Sequence, residues 1–347
     1  MGQPDSLKSR RRGRTLTVLL AGVLITLLIV LTVGGSWLGS SGGREDPEPT
    51  SASSISSISA DASDVVGPDD VPTGSSIVMP LDSAAVFWTP PEIPQGTIFQ
   101  VSLLPERGFV GSVEGTFAGE PLHFQTGDGG MFAALAAAPV DELGGIDLQL
   151  EIRYESTAAE VRLLKVQVVP GNYRMERLTV APEFGGPQPP EIQRRINEES
   201  ARAMQVSRNS HDTPRMWDGP FIPPREARIT SGFGHGRMFN DQVQSRHMGT
   251  DFGGGVGAPV IAPAGGIVAL VDAFFLGGNV IYLDHGDGLV TAYLHLSEQE
   301  VVEGEVVEPG QVIGRVGATG RVTGPHLHWI VRYGVITVDG MSLLDFG

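Results

Sequence analysis

The chain has 347 residues, 41% of them hydrophobic, and 40 acidic against 24 basic side chains give a formal charge of −16. That length accommodates more than one domain with an ample core, and the negative balance excludes a broad affinity for nucleic acid. There is no cysteine, which excludes disulfides, a thiolate zinc site, a thiol nucleophile and a lipid-modified N-terminal cysteine.

Residues 1–14 form a basic segment carrying Lys8, Arg10, Arg11, Arg12 and Arg14, expected to stay in the cytoplasm. Residues 15–37 follow as a transmembrane signal anchor, since Leu16 to Val33 is uncharged and apolar and Trp37 suits the far interface. A cleaved signal peptide is the alternative, because Gly34, Gly35 and Ser36 supply small residues. Residues 38–75 are rich in Ser, Gly, Pro and Asp. They bury too little to offset their ordering entropy and read as a flexible linker. Everything after the anchor is expected outside the cytoplasm, on the periplasmic or cell-wall side of the membrane.

Residues 76–181 have the pattern of a β-sandwich accessory domain. Ile146, Leu148, Leu150, Ile152 and Tyr154 alternate with polar residues, as do Phe99, Val101 and Leu103, and Gly- or Pro-rich breaks separate the runs. An immunoglobulin-like topology is expected. His123 stands alone there and reads as structural. Residues 182–222 form a helical connector. Pro189-Pro190 opens a helix over 191–206, with Glu191 and Arg195 spaced i,i+4 on a solvated face. The helix either packs across the domain junction or covers the active site.

Residues 223–347 are rich in glycine and β-branched residues and contain no helical period of useful length. Asp284-His285-Gly286-Asp287-Gly288 between two apolar runs signals a hairpin. The segment reads as a twisted antiparallel sheet, which makes the whole chain mainly β.

Most of the histidines fall in this segment. His326 and His328 are two apart on a strand, so both imidazoles point to one face. His247 and Asp251 are four apart, but Gly249 and the glycines after Asp251 argue against a helix. A strand running into a glycine-rich turn brings them together instead. His295 and Tyr293 share a strand face by the same alternation, and Tyr293 is a further candidate for lining the cleft. Imidazoles with one carboxylate are the ligands zinc takes when a coordination position stays open. His285 reads as a buried histidine bonded to backbone. A phosphate loop, a His-Glu-x-x-His helix and a Gly-x-Ser-x-Gly elbow are all absent from the sequence. Residues 304–314 also suit a biotinyl or lipoyl carrier, but no lysine lies in 223–347 to carry the group.

The segment resembles the lysostaphin/LytM-type zinc metallopeptidases, which hydrolyse peptide cross-links in bacterial peptidoglycan. The resemblance rests on residues 230–234, 247–252, 258–263, 284–289, 293–297 and 319–329, in the family's order. It implies one zinc ion held by His247, Asp251 and His328. It also implies that His295 and His326 are the non-ligand catalytic histidines, and that peptidoglycan is the substrate. Ile330 departs from the glutamate many relatives carry there, and Gly236 to Arg246 falls in a variable loop. The alternative is a non-catalytic cell-wall-binding activator of other peptidoglycan hydrolases.

Overall fold

The computed structural model describes residues 79–80, 84–105, 110–154, 158–178, 188–239 and 243–346. The basic segment, the anchor and the linker lie outside the described residues. Among the described residues no helix is long and apolar enough to cross a membrane.

Two five-stranded sheets make up the accessory region. One contains Ala84–Thr89, Ile98–Pro105 and Phe132–Ala137 at its centre, the other Val110–Phe117, Gly144–Tyr154 and Glu160–Val169. Period-two patterning sets their faces, since Leu148, Leu150 and Ile152 are fully buried while Asp147, Gln149 and Arg153 are exposed. The sheets meet through one shared core, where Phe99 and Phe117 pack edge-to-face with centroids 5.0 Å apart.

The last strand of this region, Met175–Leu178, joins neither sheet. It pairs in parallel with Gly236–Phe239, which in turn forms a hairpin with Val243–Arg246. The stretch expected as a variable loop is therefore largely strand, and it ties the accessory region to the site described below. His123 is not isolated either. Its Nε2 lies 2.8 Å from His211 Nδ1, and His211 Nε2 lies 2.8 Å from Glu120 Oε2. These contacts sit where the accessory region meets the C-terminal strands, beside a bond from the Tyr333 hydroxyl to the Pro121 carbonyl.

The connector helix runs Pro190–Asn209, with proline in its first turn, where a missing N–H costs no intrahelical bond. Arg195 pairs with Glu199 at 2.6 Å rather than with Glu191. Ala203 and Val206 pack on Val280, Tyr282, Val290 and Ile330. Beyond the helix, Ser210 and Thr213 donate hydroxyl hydrogen bonds to the buried Asp284 carboxylate at 2.5 and 2.6 Å.

The C-terminal region is an antiparallel sheet. Its order is Ile229–Ser231, Thr250–Gly253, His326–Tyr333, Leu289–Leu296, Gly278–Gly286, Gly266–Phe274 and Val306–Val307, with Ile336–Val338 also pairing with His326–Tyr333. The hairpin expected at Asp287-Gly288 is present. Both residues have positive φ (50° and 83°), as a two-residue turn matched to strand twist requires. His285 is completely buried, its Nδ1 donating to the Gly265 carbonyl and its Nε2 2.8 Å from Thr291 Oγ1.

Candidate metal centre

Two central strands carry the site. Asp251 is the direct register partner of His328, and Gly253 of His326. The period of two then presents Asp251, His326 and His328 on one face. His247 reaches the same point from the turn before Thr250, and its Nδ1 donates to the Gly232 carbonyl at 2.8 Å.

Three atoms converge there. Asp251 Oδ1 lies 2.7 Å from His328 Nδ1 and 3.0 Å from His247 Nε2, and the two nitrogens are 3.0 Å apart. Ligands around tetrahedral zinc, at bond lengths near 2.0–2.1 Å, stand roughly 3.3 Å from one another. With its Nδ1 hydrogen committed to Gly232, neutral His247 presents a lone pair at Nε2 to the carboxylate oxygen. Such a meeting of lone pairs is stabilised by a cation, and the donor set of two imidazoles and a carboxylate fits zinc.

The second carboxylate oxygen is also taken. Arg237 donates to Asp251 Oδ2 at 2.8 Å and to Ser231 Oγ at 2.9 Å, leaving Oδ1 turned to the ligand triangle. Burial works against the charged form of Asp251. The close approach of the His247 and His328 imidazoles outweighs it and holds the carboxyl well below its ordinary range. Burial lowers His328, with only part of the shift reversed by Asp251. Both effects favour the deprotonated forms that bind metal.

His295 reaches the cleft by a different route. Alternation from Tyr293 would turn it into the core, but Tyr293 to Leu296 pairs against the shorter Ile281 to Asn279, so a β-bulge inserts one extra residue. His295 itself has φ of 64°, and its ring lies 5.0 Å from His326 and 5.8 Å from His328, centroid to centroid. Tyr293 stays in the core, fully buried, with its hydroxyl 2.7 Å from Thr291 Oγ1. The expectation that it shares the face of His295 and lines the cleft is thus corrected, because the bulge rotates the two apart.

His295 and His326 are both oriented by backbone. His295 Nδ1 donates to the Thr319 carbonyl and His326 Nδ1 to the Gly324 carbonyl, each at 2.8 Å. Each ring is left with Nε2 as its proton-accepting atom, and His326 Nε2 faces Asp251 Oδ1 at 3.7 Å. Burial and the neighbouring His328 and His326 push His295 down to about 3, so it is neutral near pH 7.

The site opens into a cleft of 680 Å³ bordered by Leu276, Leu294, Arg321 and Pro325. No residue of the connector helix lines it. The helix packs alongside, where Glu199 accepts from the Phe275 N–H and Arg195 donates to the Ala273 carbonyl. Arg237 and Arg177 are site residues that sequence reasoning missed. Both reach the cleft through strand pairing between distant segments, for which the sequence carries no local signal.

Residues 245–340 match the sequence profile of peptidase family M23. This segment is an M23 peptidase domain. The chain is 41% identical over 104 residues to the peptidoglycan DD-endopeptidase ShyC of Vibrio cholerae, covering 29% of this chain and 24% of that protein. It is 44% identical over 110 residues to ShyA of the same organism, covering 30% of this chain and 25% of the relative. The chain therefore spans about a quarter of the length of these curated relatives. A crystal structure of a peptidase M23 from Pseudomonas aeruginosa shares 27% identity at a TM-score of 0.51, covering 67% of this chain and 87% of that one. The M23 domain thus occupies the C-terminal sheet, and the mainly β architecture extends to the accessory strands.

Proposed function

We propose that this chain is a zinc-dependent endopeptidase that hydrolyses peptide cross-links of bacterial peptidoglycan. The observation that carries the reading is the convergence of His247 Nε2, Asp251 Oδ1 and His328 Nδ1 beside the paired imidazoles of His295 and His326. The names of the Vibrio cholerae relatives support the substrate class. Zinc at that point supplies Lewis acidity toward a scissile carbonyl and lowers the pKa of an attacking water.

The chain's own residues do the rest. Asp251 holds the negative ligand charge, with Arg237 and the two ligand histidines keeping it ionised and oriented. One of His295 and His326 accepts the proton of the attacking water at Nε2 and returns it to the leaving amine. The other faces the oxyanion that develops on the carbonyl. An Nδ1–H bond to Thr319 or Gly324 fixes the tautomer the base requires, with Nε2 bare, and the other ring donates to the oxyanion in its imidazolium form, protonated at Nε2. A non-catalytic activator has no use for two such imidazoles aimed at an intact ligand triangle.

We also infer that the accessory region is immunoglobulin-like, spanning about 76–181, and that the peptidase domain begins near residue 223. The basic, apolar and linker segments support single-pass anchoring with the M23 domain outside the cytoplasm. Membrane fractionation and protease accessibility in intact cells test that placement. Enzymatic function is tested by digesting purified peptidoglycan with the zinc-loaded chain and reading products by mass spectrometry. Chelator-sensitive loss of cross-linked peptides is expected, and intact cross-links after exposure to zinc-loaded protein would refute the reading.

A further inference from the structure

One short turn holds the ligand His247 at three points. The His247 N–H donates to the His235 carbonyl at 2.7 Å, its carbonyl accepts from the Gly234 N–H at 2.8 Å, and its Nδ1–H donates to the Gly232 carbonyl at 2.8 Å. The position of residues 232–235 therefore decides where Nε2 points. Glycine occupies 232, 234 and 236, so this backbone loses much conformational freedom on ordering and needs support from outside. The support comes from the accessory region. Gly234 has φ of 78°, and a Cβ there would fall on the Tyr173 ring, so the ring lies directly against the turn. Tyr173 also meets Phe233 edge-on, with centroids 6.0 Å apart. Its hydroxyl donates to the Gln95 carbonyl in the accessory sheets, and burial pushes that hydroxyl up to about 12, which keeps it a donor. Arg246, next to His247 in the chain, adds a second hold. It donates to the Gly234 carbonyl at 3.0 Å, and its guanidinium carbon lies 5.5 Å from the Tyr173 ring centroid.

We propose that Tyr173 and Arg246 are positioning residues of the metal centre. Together they seat the 232–235 turn so that His247 Nε2 faces Asp251 and His328, and the docked accessory region thereby sets zinc affinity. This rests on the zinc reading of the site and deepens it. Groups that orient a metal ligand without touching the metal govern how much ordering remains to be done when the ion binds. Here that ordering is supplied by a different part of the fold. Tyr173 follows the strand Glu160–Val169, and the Arg174 carbonyl next to it accepts from the Gly236 N–H at 2.8 Å, where pairing of Met175–Leu178 with Gly236–Phe239 begins.

The test compares the full chain unaltered and as Tyr173→Leu, Tyr173→Phe, Arg246→Gln and His123→Gln. His123→Gln loosens the accessory region at its other junction, against His211, without touching the turn. Competition against a calibrated chelator should show zinc bound about 10-fold more weakly by Tyr173→Leu. Tyr173→Phe, which keeps the ring on Gly234, should retain most of the affinity, and His123→Gln all of it. Arg246→Gln, at an exposed position that the fold tolerates, should lose about 5-fold, the scale of one hydrogen bond. With cobalt in place of zinc, the visible spectrum should change in Tyr173→Leu and stay as it is in His123→Gln. Unchanged zinc affinity in both Tyr173→Leu and Arg246→Gln, or an equal loss in His123→Gln, would overturn the proposal. If Tyr173→Leu does not fold, unchanged affinity in Arg246→Gln alone overturns it. An unaltered chain that binds no zinc would refute the zinc reading separately. Nitrogen NMR of the metal-free chain then decides the positioning role. The His247 proton should sit at Nδ1 in the unaltered chain and in Tyr173→Phe, and be shared between both nitrogens in Tyr173→Leu and Arg246→Gln. One tautomer in all four proteins would count against the proposal.

Discussion

Gly249 lies directly against the His328 ring. A Cβ at position 249 would stand 2.7 Å from His328 Cε1 and 2.6 Å from the Trp329 carbonyl oxygen, closer than real contacts allow. The glycine between His247 and Asp251 is therefore what lets the strand carrying Asp251 approach the strand carrying His328 closely enough for their ligand atoms to meet.

Gly249→Ala should push the His328 ring away from Asp251 and weaken zinc binding by about 10–100-fold, the scale of a disturbed ligand support. Competition against a calibrated chelator measures this. Unchanged affinity would show that the close approach does not set the ligand geometry.

Arg237 holds Asp251 Oδ2. Arg237→Gln should keep the fold and lower zinc affinity by about 10-fold, since the carboxylate loses its orienting charge. Arg237→Lys should recover only part of the loss, because one ammonium cannot reproduce the fork that reaches both Asp251 and Ser231. Identical affinities in all three proteins would remove Arg237 from the account.

His285 gives a pH dependence of stability with a definite sign. Complete burial lowers it from 6.5 to about 4, only partly opposed by its bond to Gly265. Between those values the unfolded chain takes up a proton that the folded chain refuses, so stability is full above about pH 6.5 and falls as pH drops toward 4. The loss is about 3 kcal/mol, at 1.36 kcal/mol per pKa unit. Denaturant unfolding at pH 7 and pH 4.5 should show this decline, and His285→Gln should flatten it. An equally steep decline in the variant would assign the effect to other groups.

Glu199 links the connector helix to the cleft wall through the Phe275 N–H, two residues before Gly277, whose carbonyl accepts from the His295 N–H. Glu199→Ala leaves that Phe275 N–H without its acceptor. It should destabilise the chain by about 1–3 kcal/mol. It should also lower kcat with zinc content intact, because the support of His295 loosens. A stability loss with unchanged kcat would confine Glu199 to holding the helix.

Local features of the fold and site were readable from residues close in sequence. Asp287-Gly288 specified its hairpin through backbone conformations these residue types tolerate, and the two-residue spacing of His326 and His328 specified their shared face. What depended on pairing between distant strands was not readable. The bulge that turns His295 into the cleft and Tyr293 into the core exists only because Leu289–Leu296 is matched against Gly278–Gly286. Arg237 reaches Asp251 because a stretch resembling a variable loop folds into a hairpin beside Met175–Leu178. On the helix, i,i+4 spacing offered Arg195 two acidic partners. The nearby Phe275 N–H and Ala273 carbonyl draw Glu199 and Arg195 to the same side, which decides between them.

The most direct measurement is zinc content and peptidoglycan turnover on the same preparations of the unaltered chain, His328→Ala and His326→Ala. One zinc per chain with activity, no zinc with no activity, and one zinc with no activity, in that order, is the expected result. A His328→Ala protein that retains its zinc and full turnover would contradict the assignment of ligands and the mechanism built on it.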